Sequence, residues 1–285
     1  HPDLWFDWRQ DEDTEDALPV PYDFSNTPWE VDDAHQPSLT YVPYLVTGSH
    51  YYLDELQSQA AFDLGLRWTN YRNDGRPAAF YSQLRAEAWT LRTLAQTAYV
   101  TPNNDPMKSY YTTMVNQELN RLINGVITIG EMDGAGQVEG WFAAASPADQ
   151  TAPWQNDYMA MTLAQLAGQG FTLAAPLLDW AENFLAGRFL NGDNGYNPLN
   201  GPAYYLDVLA GSGDVYIDTW AELYQATYGN DLPTELAGYP DWAGGYAANA
   251  RGALASLFNV THSVDALAAF AFVVSQTHNQ GMPDS

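Results

Sequence analysis

The chain has 285 residues, 46% hydrophobic and 14% aromatic, a composition that excludes a disordered segment and, at this length, removes the need for covalent staples. Cysteine is absent, which excludes disulfides and thiolate metal centres. A formal charge of −25, from 35 acidic and 10 basic side chains, argues against nucleic acid and anionic membranes as partners, and no apolar run reaches the ~20 residues of a membrane helix.

Residues 1–35 show no helical period and are rich in Trp, Asp and Pro, with DEDTED at 11–16 reading as a solvated loop. We expect this irregular aromatic and acidic segment to precede a single helical domain over 36–285. In that domain, Pro37 suits a first helical turn, SLTYVPYLV runs to Gly48 as a C-terminal cap, and Ser49 starts a second helix, HYYLDELQSQAAFDLGLRWTNY. Pro43 is expected to kink or shorten the first arm. The hairpin pattern recurs: 78–100 turns at TPNND into 106–127, 154–171 turns into 172–190, 215–229 ends at a Gly-Asn turn, and 242–260 turns at Thr261 and Ser263 into VDALAAFAFVVSQTHN. Apolar residues recur at three- and four-residue intervals in most of these segments, and none alternates as a strand does. The predicted fold is therefore all-α, antiparallel helical hairpins with about nine helices and little or no sheet. Turns within hairpins are short, whereas the links at 128–153 and 191–214 are long and rich in Gly, Asp, Asn and Pro, which marks one face as elaborated.

This alternation of inner and outer helices over 36–280 resembles the (α/α) toroids of many polysaccharide lyases and six-hairpin glycosidases. A full ring of six hairpins needs more helices than this sequence offers, so the resemblance implies an incomplete ring or a piece of a larger polypeptide or assembly. The start at His1 without methionine agrees with a processed or excised chain, and the acidity suits an extracellular or periplasmic setting. In such a ring the first helix of each hairpin begins on the long-loop face. The residues there are His35, Tyr41 and Tyr44; Tyr81, Arg85 and Trp89; Trp154, Asp157 and Tyr158; and Trp242, Tyr246 and Asn249. Arg85, Trp89 and Arg92 share one helical face, as do Trp154, Asp157, Tyr158 and Met161. Aromatic rings offer flat apolar surfaces to sugar faces, and Asp, Asn and Arg hydrogen-bond the hydroxyl rim.

The nine-residue interval from His35 to Tyr44 is similar to one in toroid lyases of the hyaluronate and chondroitin type, where an arginine follows farther along; Arg85 takes that place here. The resemblance implies β-elimination on a uronate, with Tyr44 and His35 moving protons and Arg85 neutralising the carboxylate; Asn156 or Asn249 can stabilise the enolate-like charge. Trp154, Asp157, Tyr158, Trp242, Tyr246, Asn249, Tyr41 and Trp89 are the expected sugar-binding residues. The competing chemistry is glycoside hydrolysis by two carboxylates about 5–5.5 Å or ~6.5–9.5 Å apart, drawn from Asp32, Asp33, Glu87, Glu131, Asp133, Asp157 and Asp241. The negative charge favours a neutral glycan and so that second reading. A third reading is a non-catalytic glycan-binding or structural module.

Nothing in the sequence calls for a cofactor. There is no GxSxG elbow, P-loop, HExxH or strand-borne GxGxxG. His50 and Asp54 sit one turn apart, a spacing that suits a shared metal ion but reads first as a surface pair, and the Asp-rich loops at 131–139 and 193–200 offer oxygen ligands for Ca²⁺ without the spacing of an EF-hand. NVT at 259–261 is a glycosylation sequon in a eukaryotic secretory context.

Overall fold

Helix dominates the computed structural model, which describes residues 4–6, 17–18, 33–67, 69–73, 75–78, 83–128, 137–142, 149–210, 215–229 and 246–279. The fold is all-α, with ten α-helices and two short ladders among the described residues. The chain divides into two units, His1–Arg121 and Leu122–Ser285, so the boundary expected at residues 35–36 falls inside the first.

In the first unit, α1 (Tyr41–Thr47) and α2 (His50–Gly65) form the expected hairpin. Gly48 closes α1 in the left-handed region at φ 63°, where its N–H donates to Tyr44 O at 2.8 Å; a side chain there would be strained. The arm that carries Pro43 is short, at seven residues. The helix begins four residues later than predicted, at Tyr41, so Pro43 occupies the first turn, where an amide N–H has no intrahelical acceptor to lose. After α3 (Thr69–Asn73), α4 (Leu84–Val100) packs against α2 and is followed by α5 (Pro106–Leu122). The single lysine, Lys108, closes the α4–α5 turn by donating to Ala98 O, Tyr99 O and Thr101 O at 3.0, 3.3 and 2.9 Å, a cation at a helix C-terminus. Two strands of two residues each, β1 (Trp5–Phe6) and β2 (Ala17–Leu18), pair in parallel, and β1 lies on α2.

The interior of this unit is unusually ionic. Arg121 donates to Glu87 at 2.5 Å and to Glu118 at 2.6 Å, and the second oxygen of Glu118 accepts from the Ala78 amide at 2.8 Å. Both carboxylates are buried, and Arg121 shares its one positive charge between them, offsetting part of the penalty that apolar surroundings impose.

In the second unit, β3 (Gln150–Thr151) pairs antiparallel with β4 (Leu206–Asp207), tying the two long links to one another. The π-helical turn Ile123–Thr128 opens the unit, α6 (Pro153–Gly168) follows β3, and α7 (Ala174–Leu190) returns beside it. α8 (Trp220–Tyr228) starts five residues later than predicted. Val215, Tyr216 and Ile217 are extended and bonded to residues 208–210, and a Thr219–Glu222 capping box then opens the helix. α9 (Tyr246–Thr261) and α10 (Val264–Asn279) close the unit, with Ser263 Oγ accepting from the amides of Asp265 and Ala266.

α6 packs on α7 and α9, and α10 packs on α7 and α9. Ala186, Ala247, Ala250 and Ala269 line this contact, allowing the helix axes to approach closely around Leu254, Val273 and Phe189. A second core forms under the links from Trp141, Phe184, Tyr196, Leu206, Trp220 and Leu223, and each fully buried leucine there contributes about 1.5–3 kcal/mol. Gly187 is required for it: a Cβ at that position would lie 2.4 Å from Cζ2 of Trp220.

Candidate functional site

The second unit gathers aromatic side chains where the tied links meet the starts of α6 and α9. Trp154 is in the first turn of α6 and Tyr158 lies one turn on, with ring centroids 6.0 Å apart. Tyr246 opens α9 and its ring is 5.8 Å from Trp154. Tyr204, from the link before β4, stacks on Trp154 at 5.7 Å with 23° between the planes and meets Tyr246 edge-on at 5.7 Å. Trp154 forms the floor at 7% exposure, while Tyr204 and its neighbour Tyr205 are 39% and 47% exposed. Three of the predicted sugar-binding residues, Trp154, Tyr158 and Tyr246, therefore converge. The residue that joins them and faces water, Tyr204, carries no helical period in NPLNGPAYYLDV; the adjacent Tyr-Tyr in a Gly- and Pro-rich link was its only sequence signal.

Beneath the rings lies a buried ion pair. Arg188 of α7 donates to Asp157 Oδ1 at 2.5 Å and to Gly201 O at 3.2 Å, and its guanidinium lies 5.3 and 5.2 Å from the rings of Phe184 and Phe189. Both charged side chains are fully buried. Burial pushes the Asp157 carboxyl up and the charge and hydrogen bond of Arg188 pull it down. The expected sugar contact from Asp157 corresponds to a carboxylate turned inward. α6 is buried around most of its circumference, so the shared helical face of Trp154 and Asp157 does not make Asp157 open to solvent. Asp157 holds the first turn of α6 to α7 and, through Arg188, to the link that carries Tyr204.

Asn156 is engaged in the same way. Its Oδ1 accepts from Phe142 N at 2.7 Å and its Nδ2 donates to Thr151 Oγ1 and Ala152 O at 3.0 and 3.1 Å, so this buried amide joins α6 to the preceding link and is not free to stabilise an enolate. Asn249 lies three residues after Tyr246 on α9 and is partly exposed. Trp242 and Tyr81 lie outside the described residues.

The first unit brings two of the predicted catalytic residues together. Arg85 Nη2 lies 2.9 Å from His35 Nε2 and donates to Gln83 Oε1 at 2.6 Å. A guanidinium has no acceptor, so in this contact the imidazole Nε2 is the accepting atom. Trp89 sits between two guanidiniums, Arg85 at 5.9 Å and Arg92 at 5.4 Å, as their helical spacing predicts. Arg92 also donates to Gln36 O at 2.8 Å; burial lowers its pKa to about 10, against the opposing charge of Asp63. Tyr41 and Tyr44 are half-buried on α1, and among the described residues the Tyr44 hydroxyl makes no hydrogen bond to His35 or Arg85.

Of the carboxylates considered for hydrolysis, Asp32, Glu131, Asp133 and Asp241 lie outside the described residues, while Glu87 is paired with the half-buried Arg121 and Asp157 with the buried Arg188. Among the described residues no three His, Asp or Glu side chains gather as a metal site, and no helix is long and apolar enough to cross a membrane. No family model, curated protein or solved structure matches the chain.

Proposed function

We propose that the chain recognises glycans and that its second unit stacks sugar rings on the aromatic cluster of Trp154, Tyr158, Tyr204 and Tyr246. The observation that carries this reading is the Trp154–Tyr204 stack at 5.7 Å, with Tyr204 39% exposed. Trp154 fixes the plane of the tyrosine from below, so the exposed part of the ring is preorganised and little side-chain entropy remains to be lost on binding. Tyr205, 47% exposed, adds a second ring and a hydroxyl beside it. With 35 acidic side chains against 10 basic ones, the ligand class is a neutral glycan. A binding screen over neutral and uronate oligosaccharides tests this, with Tyr204→Ala as the variant. Binding of a neutral glycan that weakens at least tenfold in the variant is expected; an unaffected affinity, or no glycan bound, overturns the reading.

A second, enzymatic reading rests on the 2.9 Å contact of His35 with Arg85. In β-elimination a base removes the uronate C5 proton, the C4–O bond breaks with protonation of the leaving oxygen, and a C4=C5 double bond remains. His35 supplies an acid–base group and Arg85 a charge for the carboxylate. Digestion of uronate polymers is then expected to give unsaturated ends absorbing in the near ultraviolet, lost in His35→Ala and Arg85→Ala. Saturated products, or none, overturn it.

A further inference from the structure

We propose that the first unit carries a second, independent ligand site, for an amphipathic carboxylate held with its apolar body in an aromatic cavity and its anionic head on Arg72. The cavity has a volume of about 660 Å³, within the range of about 300–1,000 Å³ typical of small-molecule sites. Its walls are Trp5 and Phe6 of β1, Phe62 and Leu64 of α2, and Tyr110 and Tyr111 of α5. Tyr111 directs its hydroxyl away, donating to Gln57 O at 3.1 Å. The polar exceptions are Arg72 of α3 and Ser58 of α2.

Arg72 is what makes this cavity more than a packing gap. It is 5% exposed, Nη2 donates to Leu4 O at 2.6 Å, and Nε is buried with no hydrogen-bond partner. Among the described residues no carboxylate pairs with it. The other engaged guanidiniums are differently placed: Arg188 has Asp157, the half-buried Arg121 has Glu87 and Glu118, Arg92 has Asp63 nearby, and Arg67, buried as Arg72 is, donates to Ala78 O and Thr90 Oγ1 and does not line the cavity. In an apolar wall a guanidinium favours an anion with a matching planar fork. In a chain with only 10 basic side chains, this placement selects a single anionic group on an apolar body. Ala61 and Ser58, exposed on α2, leave the cavity open for entry.

Calorimetric titration of the full chain with dodecanoate and with dodecanol, which share one alkyl body, tests the site. Dodecanoate is expected to bind with one equivalent and at least tenfold more tightly than dodecanol. Arg72→Met is expected to abolish that preference while the alcohol still binds. Ala61→Trp, at a water-facing position that leaves the fold intact, fills the cavity and is expected to remove binding of both at an unchanged melting temperature; it decides the matter if Arg72→Met fails to fold. Absence of dodecanoate binding, equal affinity for the alcohol, or full affinity retained in folded Ala61→Trp overturns the proposal. None of these results bears on glycan binding by the second unit.

Discussion

Asp157 and Arg188 meet at 2.5 Å with both side chains shielded from water, and the same guanidinium reaches the carbonyl of Gly201, three residues before Tyr204. The pair thus connects a helix–helix seam to the link that carries the exposed ring. Arg188→Met leaves the Asp157 carboxylate buried without its counter-charge, and the expected loss is about 3–5 kcal/mol. Asp157→Leu combined with Arg188→Met removes both charges and is expected to recover much of that loss. Urea unfolding of the three proteins measures it; a loss below about 1 kcal/mol for Arg188→Met contradicts the assignment.

Gly187 makes a second, steric prediction. The methyl of Gly187→Ala has no room beside Trp220, whose ring is 2.4 Å from the position it would occupy. Overpacking of this kind costs about 1–3 kcal/mol, and the melting temperature is expected to drop accordingly. An unchanged melting temperature would show that Trp220 is not held in place by its neighbours Phe184 and Tyr196.

Alkaline pH supplies a third test. Burial raises the pKa of Tyr228 to about 12 and that of Tyr196 well above its ordinary value. The folded state then retains protons that the unfolded chain releases from about pH 10, so this stability is complete below pH 10 and is lost as pH rises through the folded pKa. Arg92, whose pKa burial lowers to about 10, acts in the opposite sense over the same range. Tyr228→Phe removes one of the tyrosine contributions, and its unfolding free energy is expected to fall less steeply than that of the parent between pH 10 and 12. Identical slopes contradict the burial of this hydroxyl.

How far the sequence revealed this molecule depended on the element. Helices such as α4 and α9 were legible because their apolar residues keep the period of a helix packed on one side. The start of α1 differs from the sequence reading because a proline suits a first helical turn at either Pro37 or Pro43, and the helix takes Pro43. Residues 215–217 read as helix in the sequence because Val, Tyr and Ile are apolar in either period, while their pairing partners are at 208–210. The site was half legible. Trp154, Tyr158 and Tyr246 were identified from their places at helix starts, but the same reasoning gave Asp157 and Asn156 an outward role. On a helix buried nearly all round, a polar residue faces other elements, and its partner 31 positions away, Arg188, leaves no local mark.

The central claim is that Tyr204, stacked on Trp154, contributes the exposed ring of a glycan site. It is tested most directly by isothermal titration of the parent, Tyr204→Ala and Tyr99→Ala with the neutral oligosaccharide the parent binds best. Tyr99, 50% exposed on α4 of the other unit, controls for the loss of any surface aromatic. The account predicts at least a tenfold weaker affinity for Tyr204→Ala and an unchanged one for Tyr99→Ala; equal affinities for all three proteins would contradict it.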